Sequence, residues 1–216
     1  MTDTSSPAIR AVDLAALVAG KLCHDFISPA GAITSGLDLL KDPSAQDMRD
    51  DALALIEQSA SKMVALVHFA RVAFGASTTA ERFSTDAIRT LADDLLAGGR
   101  AKLAWRLQAS DLSKVQARAL LNLAYVTVGA LPSGGEALIE VAVEGGQVRL
   151  SGRATGARAR LKPEAATGLA GDLLTDGLQG QWIQPYWLWL TVAEAGGRLA
   201  VETGEDQVAL TCLMPA

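Results

Sequence analysis

Two long stretches of helical periodicity, residues 12–40 and 45–74, are separated only by the segment KDPSAQD. This pairing narrows the fold more than any other feature of the chain. Asp42-Pro43-Ser44 is turn and helix-start chemistry, because proline fixes φ and lacks a donor while Asp and Ser satisfy free backbone amides. So short a link sends the second helix back along the first, as an antiparallel hairpin. At about 100° per residue, Val18, Leu22, Phe26, Ile33, Leu37 and Leu40 share one side of the first helix. Met48, Leu55, Ile56, Met63, Leu66, Val67 and Phe74 form a stripe on the second, widened by Leu53, Ala60 and Val64. Two helices cannot bury that much apolar surface alone. Two copies can, so the expectation is a homodimer built on a four-helix bundle.

The pattern changes after GASTTAERFST, residues 75–85, whose small polar composition reads as a linker. The predicted division is a helical hairpin over residues 10–76 and a second domain over 82–216. Residues 85–97 read as a helix stopped by Gly98-Gly99. AKLAWRL alternates, with Leu103, Trp105 and Leu107 on one face, and reads as a strand. Residues 113–131 read as a helix capped by Ser113 and ended by Pro132. EALIEVAVE and GQVRLSG flank Gly145-Gly146 as a hairpin. Residues 153–181 show little periodicity, and 184–195 read as a helix stopped by Gly196-Gly197. RLAVET and QVALTCLM close the chain as a second hairpin around GED. The order α, β, α, β, β, α, β, β predicts an α+β sandwich, a helical layer on a mixed sheet.

Composition excludes some functions. Across 216 residues the formal net charge is -5, which argues against a nucleic-acid partner, since such a surface is ordinarily basic. The two cysteines, Cys23 and Cys212, are far apart and have no CxxC neighbour, so neither a disulfide framework nor a zinc site is expected. The longest apolar stretch, WIQPYWLWLTVAEAGG, is shorter than the roughly 20 residues a bilayer requires. No leader pattern is evident, and MTDTSSPAI at the start reads as a disordered tail. The expectation is a cytoplasmic protein with no membrane contact.

The stretch KLCHDFISPAGAITSGLDLL carries the chemistry. His24, one of two histidines, falls on the first helix roughly opposite the apolar arc, with Lys21, Ser28 and Ser35 beside it on the wet side. Asp25 follows it and Pro29 lies one turn further on. HDFISP, with its acid and its proline at this spacing on the first helix of a hairpin, resembles the H-box of two-component histidine kinases. RALLNLAYVTVGALPSGGEALIEVAV resembles the N-box helix and following strand of their ATP-binding domain, the Bergerat fold. VAEAGGRLAVET resembles the stretch after the kinase glycine boxes.

The departures from that pattern matter more. Asn122 matches the first N-box asparagine, but Val126 stands where the magnesium-binding asparagine is expected. SGRATGA, without an acid, replaces the aspartate box that reads adenine. Bulky GLQGQWIQPYW replaces the last glycine-rich motif, where backbone amides approach phosphate. An intact H-box beside a degenerate nucleotide domain resembles the ChpT-type dimeric histidine phosphotransferases of alphaproteobacteria. That resemblance implies that His24 is the phosphoacceptor in a two-component phosphorelay. It implies shuttling without ATP between the receiver aspartate of a CckA-like hybrid kinase and CtrA-like or CpdR-like response regulators. It implies no cofactor of its own and no metal, with Mg²⁺ brought by the receiver domain.

An exposed imidazole, of ordinary pKa about 6.5, is largely neutral and nucleophilic near pH 7. The resemblance makes Asp25 the group that orients the ring and offsets charge as the N–P bond forms. Pro29 removes a helical hydrogen bond and is expected to bend the helix. Lys21, Ser28 and Pro29 are candidates for touching the phosphoryl group or a docking partner, although turn-spaced polar residues are ordinarily just solvated. His68 lacks the acid and the proline and reads as solvated. Asn122 reads as a packing or capping remnant, and Cys23 as inert. Trp182, Tyr186, Trp187 and Trp189 read as core in preference to a docking patch. Two other functions stay open: a divergent ATP-dependent kinase and a non-catalytic scaffold that docks receivers.

Overall fold

A computed structural model describes residues 9–75, 79–96, 98–174 and 179–216. The expected disordered tail, all but Ile9, lies outside these residues, as does part of the expected linker. The hairpin is present. Helix α1 spans Ala11–Lys41 and α2 spans Arg49–Ala73, packed side by side. The connection differs from the expected simple turn. Pro43–Met48 forms a 3-10 segment, so α2 begins later than residue 45. Asp42 nucleates this segment, its carboxylate accepting from the Ser44 backbone amide at 2.8 Å and from Ser44 Oγ at 2.7 Å. Ala45, at φ -109°, breaks helical geometry. Close approach of the two helices depends on Gly36, where a Cβ would lie 2.6 Å from Ile56 Cγ1 and 3.1 Å from the Ala52 carbonyl oxygen.

The second half is the expected helical layer on a mixed sheet. Helix α3 spans Thr85–Leu96, α4 Lys114–Gly129 and α6 Ile183–Glu194. Ser113 and Gln116 form a reciprocal capping box at the start of α4. Strands β2 (Ala101–Leu107), β4 (Gly135–Glu144), β5 (Gln147–Thr155), β6 (Arg198–Gly204) and β7 (Gln207–Pro215) form one sheet. Its order is β2-β4-β5-β7-β6, with β2 parallel to β4 and every other pair antiparallel. Two features had no sequence signal. β1 (Arg82–Ser84) and β3 (Asp111–Ser113) make a separate small ladder, each too short to show alternation. The stretch read as aperiodic holds a seven-residue helix, α5 (Pro163–Leu169), and a 3-10 turn, Gln179–Trp182.

Alternation along the strands explains the core. Ile139 and Val141 of β4, Val148 and Leu150 of β5, and Leu210 and Cys212 of β7 are buried in one cluster with Leu120, Leu121 and Ala124 of α4. Phe69, Val72 and Ala73, from the end of α2, enter the same cluster. The hairpin is thus rooted in the core of the sheet half.

Asn122 fastens that root. It is fully buried and donates to the Ala73 carbonyl at 2.9 Å and the Arg118 carbonyl at 2.8 Å, while its oxygen accepts from Gln184 Nε2 at 3.0 Å. Helix α2 ends with free carbonyls that need donors. Asn122 supplies one to Ala73 and Trp187 Nε1 another, at 2.9 Å. The reading of Asn122 as a local cap is thereby given a definite partner. The aromatic run is largely core as expected: Tyr186 is buried, while Trp182, Trp187 and Trp189 are half-buried. Replacing Asn122 with Ala strands the buried Gln184 amide and withdraws a donor from Ala73. Urea unfolding is expected to register a loss of about 2–3 kcal/mol, with the denaturant slope unchanged.

Candidate functional site

His24 sits near the middle of α1 with its side chain 51% exposed, and its Nδ1 lies 3.2 Å from Asp25 Oδ1. Neighbouring helix residues point about 100° apart, so sequence spacing could not establish this contact; the short carboxylate reaches sideways along the helix rim to the ring. A carboxylate only accepts, so the neutral ring makes this bond in the tautomer that carries its proton on Nδ1, which leaves the Nε2 lone pair free.

Asp25 is itself held. Its Oδ2 accepts from Lys21 Nζ, one turn earlier, in a close ion pair. The Lys21 side chain is only 3% exposed. Its ammonium also donates to the Tyr125 hydroxyl at 3.3 Å and lies 5.1 Å from the centre of that ring. Tyr125 belongs to α4, in the other half of the chain. The expectation that Lys21 faces water as a phosphoryl or docking contact is therefore corrected. The amine points inward because the Tyr125 side chain lies over it and the Gln179–Trp182 turn and α6 pack on α1, and a buried cation must be paired.

Ser28, a turn beyond His24, is exposed as expected. Pro29 is buried, which removes it from the surface contacts expected of it. Helix α1 runs on through this proline, and because Pro29 has no N–H the Asp25 carbonyl loses its helical donor. Lys62 of α2 adds a charge that sequence reading missed. Its ammonium donates to the Leu95 carbonyl at the end of α3. Burial pushes the Lys62 amine below its ordinary value, and the nearby Asp25 carboxylate pulls part of the way back.

Two depressions open beside His24. A broad groove of about 1200 Å³ runs between the hairpin and the end of α3, lined by His24, Asp25, Ser28, Lys62 and His68. His68 is exposed on α2, as read, yet it faces the same groove; the hairpin register needed to see this is not in the sequence. A smaller cleft of about 350 Å³ lies between α1 and the second half of the chain, lined by Lys21, Tyr125, Lys162 and Trp182 among others. Asn122 and Val126, the positions that resemble the kinase N-box, do not fit a magnesium–nucleotide group. Asn122 spends its amide on Ala73, Arg118 and Gln184, and Val126 is buried in the apolar core. Among the described residues, no three His, Cys, Asp or Glu side chains gather as a metal site, and no helix is long and apolar enough to cross a membrane.

Comparison with known proteins now decides the family. The profile of the histidine phosphotransferase C-terminal domain matches residues 85–207. The chain belongs to the histidine phosphotransferase family. It is 32% identical over 202 residues to the protein phosphotransferase ChpT of Brucella abortus (strain 2308), covering 93% of this chain and 95% of that one. A solved structure of a bacterial phosphotransferase is similar with a TM-score of 0.84 and 28% identity, over 94% of this chain and 97% of that chain. The fold read from the sequence, a helical hairpin joined to an α+β domain with helices on a mixed sheet, is therefore the fold of this histidine phosphotransferase.

The two cysteines occupy opposite environments in this family member. Cys23 is exposed next to His24, while burial pushes the Cys212 thiol up to about 12. A thiol-disulfide reagent at pH 8 is expected to titrate one cysteine in the folded protein, and the second only after denaturant is added.

Proposed function

We propose that the chain is the phosphotransferase of a two-component phosphorelay. His24 takes a phosphoryl group from one receiver aspartate and passes it to another. The observation that carries this reading is the half-exposed imidazole held by Asp25 through Nδ1. Nε2 attacks the phosphorus of a receiver's aspartyl phosphate in line. The P–N bond forms as the P–O bond breaks, and the electron pair returns to the receiver carboxylate. Nδ1 keeps its proton, and Asp25 offsets the positive charge that the ring acquires. The reverse sequence unloads His24 onto the next receiver. Mg²⁺ held by the receiver's own carboxylates would neutralise the phosphoryl oxygens.

The same reading makes the exchange independent of ATP, which the committed Asn122 amide and the buried Val126 support. The groove beside His24 and Lys62 is the natural berth for a receiver. The relative ChpT is named a protein phosphotransferase, and by analogy the donor is a CckA-like hybrid kinase and the acceptors are CtrA-like and CpdR-like regulators in the cytoplasm. Residues 10–76 serve as the dimerisation and transfer unit and 82–216 as the degenerate kinase-ATPase-like unit. Leu53, Val64 and Val67 remain exposed on one side of α2, with Leu37 exposed on α1. Apolar surface so aligned supports the homodimer and its four-helix bundle.

The test is a relay reconstituted with a radiolabelled, phosphorylated receiver. His24→Ala should abolish transfer, and Asp25→Asn should slow it about 10²-fold. Undiminished relay by His24→Ala would favour a docking scaffold, and saturable magnesium–ATP binding with autophosphorylation would favour a divergent kinase. For the dimer, light scattering on Leu53→Glu with Val64→Glu is expected to give the mass of one chain, against two for the wild type.

A further inference from the structure

We infer that Lys21 and Tyr125 are positioning residues for the phosphotransfer, through which the degenerate domain holds Asp25 and so selects the tautomer of His24. This rests on the reading of His24 as phosphoacceptor. The chain of contacts is continuous. The Tyr125 hydroxyl meets Lys21 Nζ at 3.3 Å, Lys21 pairs with Asp25 Oδ2, and Asp25 Oδ1 meets His24 Nδ1 at 3.2 Å. Each link constrains the next. An aspartate on a helix surface has several open rotamers, most of which carry its carboxylate away from a neighbouring ring. An ion pair to Oδ2 leaves Asp25 one orientation, and in that orientation Oδ1 faces the imidazole. A free Lys21 could not supply this constraint, because an exposed lysine samples many rotamers at little energetic difference. Its 3% exposure and its place over the Tyr125 ring remove that freedom.

The position of Tyr125 gives the arrangement its meaning. It stands on α4 immediately before Val126, where the kinase pattern has its magnesium ligand. Helix α4 is fixed against α2 by the Asn122 bonds and packs on the sheet. The Gln179–Trp182 turn also presses on α1: a Cβ on Gly180 would lie 3.2 Å from the Leu17 carbonyl oxygen. A domain with no fit for nucleotide thus acts as a rigid wall behind the reactive helix. The chemical consequence is specific. Nucleophilic Nε2 must carry the lone pair, so the proton must reside on Nδ1, and the hydrogen bond made by Nδ1 sets that choice. A ring without such a partner is free to place its proton on Nε2, which is unreactive toward phosphorus.

The experiment uses the full chain labelled with ¹⁵N-histidine. The sequence has only two histidines, and His68→Gln assigns them. Ring nitrogen shifts report the tautomer directly. Phosphoryl uptake from phosphoramidate, which loses ammonia as its P–N bond gives way to the one on Nε2, reports reactivity without receiver docking. The wild type is expected to show the Nδ1–H form. Lys21→Met should move His24 toward the Nε2–H form and slow uptake about tenfold, and Lys21→Arg should restore both in large part. Tyr125→Leu, which leaves the ion pair but removes its wall, should shift both in the same direction by about threefold and decides the matter if Lys21→Met does not fold. Folded variants with wild-type tautomer and wild-type uptake would overturn the inference, as would a wild-type ring already in the Nε2–H form. If the double variant His24→Ala with His68→Gln still gained phosphoryl groups, the functional reading would fall instead, while the ring signals of the chains that keep His24 would still judge the clamp.

Discussion

A buried ammonium ion must find a counter-charge, and much of this structure follows from how Lys21 finds one. Its partner is Asp25 on the same helix, and the ring and hydroxyl that shield the pair come from Tyr125 on α4. Ion pairs of this i, i+4 kind contribute a few tenths of a kcal/mol when exposed. Beside Tyr125 the pair matters more for geometry than for stability, because removing either partner would leave the other in a poorly solvated place. The pair locates the carboxylate, the carboxylate orients the imidazole, and the imidazole stays open to solvent on its other edge. Reactivity and rigidity meet on one turn of α1.

The degenerate domain gains a role in this light. Here Asn122 faces inward and closes the end of α2, with Gln184 and Trp187 completing the joint. Val126, four residues on, is simply core. The Asn122 side chain is structural, and the same helix brings Tyr125 to the Lys21–Asp25 pair beside His24. Group transfer between two proteins gains from a stiff surface that holds the reacting groups in line.

Much of the fold was legible because its signals are local. Asp42-Pro43-Ser44, the Ser113 cap and the paired glycines after three elements announce ends of helices and strands by their own chemistry. Alternation in EALIEVAVE and QVALTCLM announces strands. The errors came where local signal is weak or misleading: three-residue strands β1 and β3, the short α5, and the 3-10 start between the long helices. At the site, His24 and Asp25 stood out by type and spacing, whereas Lys62 and Tyr125 carried no mark of their role.

By itself the sequence determined the helical hairpin, the alternating strands, the solvent-facing histidine with its neighbouring acid, and the departures from the nucleotide motifs, because each is written within a few adjacent residues. The side of α1 that meets water was decided only in three dimensions. A helical wheel ranks positions around one helix but is blind to what covers it. The cover over Lys21 comes from Tyr125, 104 residues later. That contact turns a nominally solvated lysine into the anchor of the carboxylate beside His24, because burial next to a fixed aromatic leaves its charge a single partner.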